Sequence, residues 1–436
     1  MNLLQRRIGG VPLGAWFFMM IVLALVPKIE SLTADEKDQM EKGLTAGKEI
    51  LGYIKERKFT QTMTKLADSA SEFLGALGPF VSFIMTFVSG DSTELTYMKE
   101  MMKEIDRRFG MVESTLADIQ TLIQWSNLEL SLLQIENNVQ TMDRAYKNFY
   151  ELEGLASDKT RDFSTSYVSS YELSGSRLYE LVVQESSFTD SLGVAIMKKT
   201  KYDRKKTNDY LLGILKIILQ GVRIELAYCG MQYGGTYYNS KRDEWQRRIV
   251  TVTEKFKVID DDVTKAFLVQ SKEDTKKIAH DIRPNSMGNL DFIVKLCKKL
   301  EEKYYWRDWL CTVWDDDVPS KEYSYTLCGG YFLRWEHGRN ILVSSRDKTA
   351  PRMDIDSANA ELNKFTFKPY VGISYAGKKI INQAFLASSV FDVIKVDNAC
   401  CIAVIKKHAN TYWHKSDYTR VATKALHFYW WVVIFG

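Results

Sequence analysis

Cysteine is absent from the first 228 residues of this 436-residue chain, and only seven prolines occur in all of it. With 25 glycines, that leaves little material for long flexible linkers. Charge of one sign is also missing: 59 Lys and Arg face 55 Asp and Glu, a balance unlike that of a nucleic-acid binder. No Asn-x-Ser/Thr sequon occurs, so N-glycosylation is not expected. The five histidines (His280, His337, His408, His414, His427) form no H-E-x-x-H, and no G-x-S-x-G or Walker-type loop is present. His408 and His414 are six apart, a poor metal spacing on a helix or a strand. The triplets Asp260 to Asp262 and Asp315 to Asp317 lack a calcium-loop pattern and read as solvated turns or helix faces. These absences exclude the common enzyme signatures, so no enzyme activity, metal or cofactor is expected.

What the chain does have begins at its amino terminus. Arg6 and Arg7 precede an apolar run from Val11 to Val26, followed by Lys28, Glu30 and Ser31. A basic region, a short apolar core and a polar stretch describe a secretory signal peptide over 1–31. The run is shorter than the roughly 20 residues a spanning helix needs. Secretion favours disulfides among Cys229, Cys297, Cys311, Cys328, Cys400 and Cys401, in any of fifteen connectivities. Cys400 and Cys401 are adjacent, so on a strand they face opposite sides and serve different partners.

From Ala34 to about Lys303 the pattern is helical. Leu95, Met98, Met102, Ile105, Phe109, Val112, Leu116, Ile119 and Ile123 step by three and four. Asp91 and Glu94 form a capping box at the start of this stripe. The register slips before Leu128, then resumes through Leu132, Ile135, Val139, Met142, Tyr146 and Phe149, which predicts a break around Trp125 to Asn127. Trp245, Ile249, Val252, Phe256, Ile259, Val263 and Ala266 make a third stripe, and Tyr210 to Tyr228 is apolar almost all round, as in an enclosed central helix. After Lys303 the texture changes: seven of the ten tryptophans lie between Trp306 and Trp431, among short β-branched and aromatic runs. The expected architecture is α+β, with a large helical bundle over 32–303 and a smaller β-rich, disulfide-bearing domain over 304–436.

Residues 73 to 90, FLGALGPFVSFIMTFVSG, carry no charge and reach the lower limit for crossing a membrane. Gly75, Gly78 and Pro79 interrupt them and read as a hinge that weakens a helix. A buried helix or hairpin of the bundle is the alternative. The two readings are compatible, because a protein that is first soluble must hide an inserting segment. Lys198, Lys199, Lys201, Arg204, Lys205 and Lys206 cluster between two helical stretches, as a solvated loop or a contact for anionic head groups.

The signal, the cysteine-free bundle, the Gly/Pro-bearing segment and then SGDSTELTYMKEMMKEIDRRFGMVESTLADIQTLIQW together resemble the pore-forming toxins of box jellyfish and related cnidarians. The detailed resemblance covers about residues 70 to 150. It implies a helical domain similar to the inserting domain of insecticidal δ-endotoxins, and a carboxy-terminal domain that engages the target-cell surface. It implies a secreted, nematocyst-stored, cytolytic and haemolytic toxin. The family's membrane-crossing stretch would fall on Phe73 to Val88, with Phe73, Leu74, Leu77, Phe80, Val81, Phe83, Ile84, Met85, Phe87 and Val88 meeting lipid, either as one helix or as a hairpin with the neighbour from Leu95. The implied partners are target-cell membrane lipids, a cell-surface glycan or protein receptor, and further copies of the chain in the pore. The competing expectation is a secreted, lectin-like binding protein whose helical domain never inserts.

Overall fold

A computed structural model of the protein describes residues 7–8, 11–12, 33–86, 93–111, 126–151, 156–171, 173–184, 190–233, 235–315, 324–364, 387, 390–391, 394–406, 408–413, 421–427 and 430–436. The fold is α+β, helical first and then built of antiparallel sheets. Contacts divide the chain into two compact units, Met1–Ile196 with Asn208–Val258, and Met197–Thr207 with Ile259–Gly436.

In the first unit, two-residue strands β1 (Arg7–Ile8) and β2 (Val11–Pro12) pair within the stretch expected to be a signal peptide. The remainder of 1–32 lies outside the described residues. The helices are α1 (Ala34–Lys55), α2 (Phe59–Thr86), α3 (Thr93–Met111), α4 (Ser126–Glu151), α5 (Ala156–Ser166), a π-turn (Tyr167–Tyr171), α6 (Ser174–Val183) and α7 (Leu192–Lys199). Then come the two longest, α8 (Arg204–Tyr233) and α9 (Gly235–Lys265). Met40, Leu44, Leu51 and Ile54 give α1 one apolar face, which packs on α2. Arg57, at φ 55°, ends α1: its N–H donates to Ile54 O and that of Lys58 to Tyr53 O, a Schellman closure with arginine at the left-handed position. Gly43 lets α1 and α2 approach closely, since a Cβ there would lie 2.4 Å from Ala76 Cβ.

The stripes meet the core as their spacing requires. Met98, Met102, Ile105 and Phe109 are buried on α3, and Leu132, Ile135, Val139, Met142, Tyr146 and Phe149 on α4. Helix α4 is described from Ser126, while Trp125 of the expected break, the capping box at Asp91 and the stripe from Val112 to Ile123 lie outside the described residues. Every residue of α8 from Leu211 to Ala227 is buried, as expected of a central helix. Yet the helix is not purely apolar, for Lys216, Gln220, Arg223 and Glu225 are buried with the rest.

The second unit is layered. Helices α10 (Phe267–Asp281) and α11 (Asn289–Lys303) cover a sheet ordered β5-β6-β3-β8, made of Gly330–Glu336, Arg339–Asp347, Arg307–Trp314 and Asn410–Trp413. A second sheet, β4-β7-β10-β9, is made of Ser324–Thr326, Cys401–Lys406, Trp430–Phe435 and Val421–His427. It carries α12 (Ile355–Lys364) on its far face. Alternation along the strands builds three cores at once. On β3, Trp309, Cys311 and Val313 point to the helices, and Leu310 and Trp314 to the other sheet. On β10, Val433 and Phe435 face the first sheet, and Val432 and Ile434 face α12. Strands covered on both sides read as continuous apolar runs. The change of texture at 304 marks where strands begin, and the compact unit reaches back to Ile259 to include the helices on its first sheet.

Candidate membrane-inserting segment

The uncharged stretch begins in the second half of α2. Phe73, Leu74, Leu77 and Phe80 are at most 1% exposed, and Gly75 is buried among them. The Phe73 ring lies where a side chain on Gly47 of α1 would sit. Tyr238 of α9 donates its hydroxyl to Leu74 O at 2.8 Å, and the Phe80 ring meets Tyr150 of α4 edge-on at 6.1 Å. Burial of these rings is the dominant force on the segment, at roughly 1.5–3 kcal/mol for each large side chain. Val81, Phe83, Ile84 and Met85 continue the helix, and their side chains lie outside the described part, as do those of Gly78 and Pro79. Phe87 and Val88 lie outside the described residues. The helix runs through Gly75, Gly78 and Pro79 without a break, so these residues do not interrupt it in this state.

No helix among the described residues is long and apolar enough to cross a membrane. The uncharged helical part of α2, 73–86, is about 21 Å long at 1.5 Å per residue, against a hydrocarbon core of about 30 Å. The first half of α2 carries Lys65, Asp68 and Glu72.

What holds the helices that follow is a buried charge cluster. Arg223 of α8, fully enclosed, donates to Asp106 of α3 and to Asp143 of α4, and its guanidinium lies 4.8 Å from the Phe109 ring centre and 4.9 Å from that of Tyr146. Gln220, one turn earlier, donates to Asp143 at 3.1 Å. Burial pushes the Asp106 carboxyl above its ordinary range, with Arg223 opposing. Burial also lowers Lys216 and raises Glu136. Among the described residues, Asp106 Oδ2 and Arg223 Nε have no hydrogen-bond partner, so the cluster is incompletely satisfied. Glu225, raised by burial, accepts from Trp245 Nε1 at 2.8 Å and Tyr171 Oη at 3.2 Å, joining α8 to α9 and the π-turn. Such an arrangement positions the helices relative to one another.

Sequence reasoning missed these groups. Their signal was available: Lys216, Arg223 and Glu225 stand inside a run otherwise apolar, and Asp106 adjoins Ile105 on the buried side of its stripe. No spacing rule says which charges across the bundle they meet.

The cysteines divide. Cys328 and Cys400 are bonded, closing 72 residues in the second unit, while Cys229, Cys297, Cys311 and Cys401 are buried thiols. Cys401 turns away from its bonded neighbour and takes the Ser344 hydroxyl at 2.9 Å, as adjacent residues on a strand must. Burial pushes the Cys401 thiol up to about 12 and that of Cys229 up to about 11, so neither is a ready nucleophile. Among the described residues no group of three or more His, Cys, Asp or Glu is placed to hold a metal. Asp260 is engaged instead by Arg204 of the basic cluster, in a two-pronged pair at 2.7 and 2.6 Å. Lys201 and Tyr202 in the same cluster have φ of 54° and 56°, where α7 ends in a second Schellman closure.

Residues 89–284 match the family model of the cephalotoxin-like middle helical domain. The matched stretch runs from just before α3 to just past α10, so this chain is similar, through its middle, to a domain of a toxin family consistent with the cnidarian resemblance. No curated protein and no solved structure matches the chain.

Proposed function

We propose that the protein is a secreted pore-forming toxin, cytolytic and haemolytic, that inserts helical segments of its first unit into target-cell membranes. The single observation that carries this reading is the conjunction of a match to a toxin-family middle domain over 89–284 with an uncharged helix half, 73–86, directly ahead of it, in which Phe73, Leu74, Leu77 and Phe80 are buried. Shielding fits a chain that travels in water, because exposed Phe73, Leu77 and Phe80 would aggregate. Since the uncharged helical part is too short to span alone, α2 enters lipid with its neighbour α3 as a hairpin. Helical pairing satisfies the backbone in lipid, and copies of the chain surround the polar faces that remain.

In this account the toxin is stored in nematocysts and acts at the target-cell membrane, where the second unit contacts the surface through lipid, glycan or protein. The test is release of a trapped dye from protein-free liposomes. A pore-former releases dye; a lectin-like binder adsorbs or stays in solution and releases none.

A further inference from the structure

We propose that one end of the second unit, the β5–β6 hairpin tip with the α10–α11 loop, is a phospholipid-interface anchor in which Trp335, Leu290 and Arg283 meet the bilayer; this rests on the membrane-acting reading above. The local sequence E-H-G-R closes the hairpin: Glu336 pairs with Arg339 around His337 and Gly338, whose φ are 51° and 87°. Left-handed backbone at both positions is the hairpin geometry that follows strand twist. The register shifts just before it, and Trp335 is held at φ 53°. A left-handed tryptophan is strained, and strain of this kind collects at functional positions. Its N–H is fixed by Asn340 Oδ1 at 3.0 Å.

The surroundings make the tip rigid. Arg339, buried beneath it, donates to Asn289 Oδ1 at 3.0 Å and to the carbonyls of Ile282 and Met287, and stacks 4.0 Å from the Phe292 ring centre. The loop and the start of α11 are thus tied to the hairpin. Folding ordinarily hides large apolar side chains, yet here Trp335 is 50% exposed and Leu290 59%. Exposed Pro284 lies against Gly338.

Charge favours a phosphate-bearing surface. Asp281 is paired with Lys277 at 3.0 Å, and Glu336 with His337 Nε2 at 3.3 Å. Arg283 Nη1 lies 2.6 Å from His337 Nδ1, and Arg283 stays exposed to solvent. An indole, an aliphatic side chain and a cation on one rigid end match the bilayer boundary, where aromatic rings sit at the head groups and arginine meets phosphate. Leu290 and Pro284 give a sugar nothing to bond.

The experiment is flotation of the full chain with phosphatidylcholine vesicles, with and without phosphatidylserine. Trp335→Asn with Leu290→Ser is expected to lower the partition coefficient roughly tenfold or more. Val168→Ser, equally apolar and 69% exposed in the first unit, should leave it unchanged. Arg283→Glu should weaken binding to the anionic vesicles most. Asparagine suits the left-handed backbone, so Trp335→Asn should melt at or above the native temperature, which a merely structural tryptophan would not allow. Native binding by the double variant, or native binding only to membranes that carry glycans or proteins, overturns the anchor. Dye release separates the two claims: native chain that binds but releases nothing defeats the pore reading alone, and normal binding and release by the double variant defeats the anchor alone.

Discussion

Arg223 is a charge with no solvent exposure, held between two carboxylates and two aromatic rings. Replacing it by methionine would leave Asp106 and Asp143 without their counter-charge, at about 3–5 kcal/mol. Urea unfolding of Arg223→Met should show that loss, and a fall of under 1 kcal/mol would mean the cluster does not hold α3 and α4 to α8. Two neighbouring carboxylates give opposite pH dependences. Glu104, bonded by Arg107 and Arg108, is held down to about 2. Its contribution is complete above its ordinary range and is lost as pH falls toward 2. Asp106 is raised by burial, so its ionisation opposes folding, and stability increases as pH falls from neutral through its raised range. Asp106→Asn should abolish that gain and Glu104→Gln should blunt the acid loss, both read from melting temperatures across pH.

At the scale of the element, α2 is held by close approach to α1 as well as by the Tyr238 hydroxyl on Leu74 O. A Cβ on Gly43 would meet Glu72 O at 2.3 Å as well as Ala76, so Gly43→Val must push α1 and α2 apart, costing about 1–3 kcal/mol. If α2 leaves α1 when the protein acts on a membrane as proposed, this variant should melt lower and lyse at least as fast as the native chain. Slower lysis by soluble, folded variant would argue against that release. In the second unit, loss of the Cys328–Cys400 bond, which closes 72 residues, should cost about 4 kcal/mol. Calorimetry of Cys328→Ser/Cys400→Ser should show it, with most far-UV helical signal kept and four thiols titrating in the unfolded native chain.

These elements also show how far the sequence could be read. The stripes on α3, α4 and α9 and the enclosure of α8 were legible because burial imposes a 3.6-residue period, and the passage to strands after Lys303 because β-branched and aromatic runs alternate between turn residues. The layering of two sheets between helices was not, since strands covered on both faces lose their alternation. The candidate segment was visible as an uncharged run. The partners of Arg223 were not, because Asp106 and Asp143 lie 117 and 80 residues away along the chain. The pairing of Cys328 with Cys400 was one of many connectivities that spacing left open.

For the whole molecule, the proposed account is that a helical unit similar to a toxin-family domain carries an uncharged helix half, buried at Phe73, Leu74, Leu77 and Phe80, and releases it at a membrane. Ile105→Asp should cost several kcal/mol, since Ile105 is fully buried on the face that closes the bundle. Unchanged thermal stability of that variant would place the core elsewhere. The most direct measurement is dye release from protein-free liposomes by a chain in which an engineered disulfide ties α1 to α2 beside the Gly43–Ala76 contact. Because reductant also opens Cys328–Cys400, the untied chain is measured under the same reduction. The account predicts that the tied, oxidised protein binds vesicles but releases no dye, and that reduction restores the release shown by the reduced untied chain. Full release by the verified, oxidised, tied protein would contradict it.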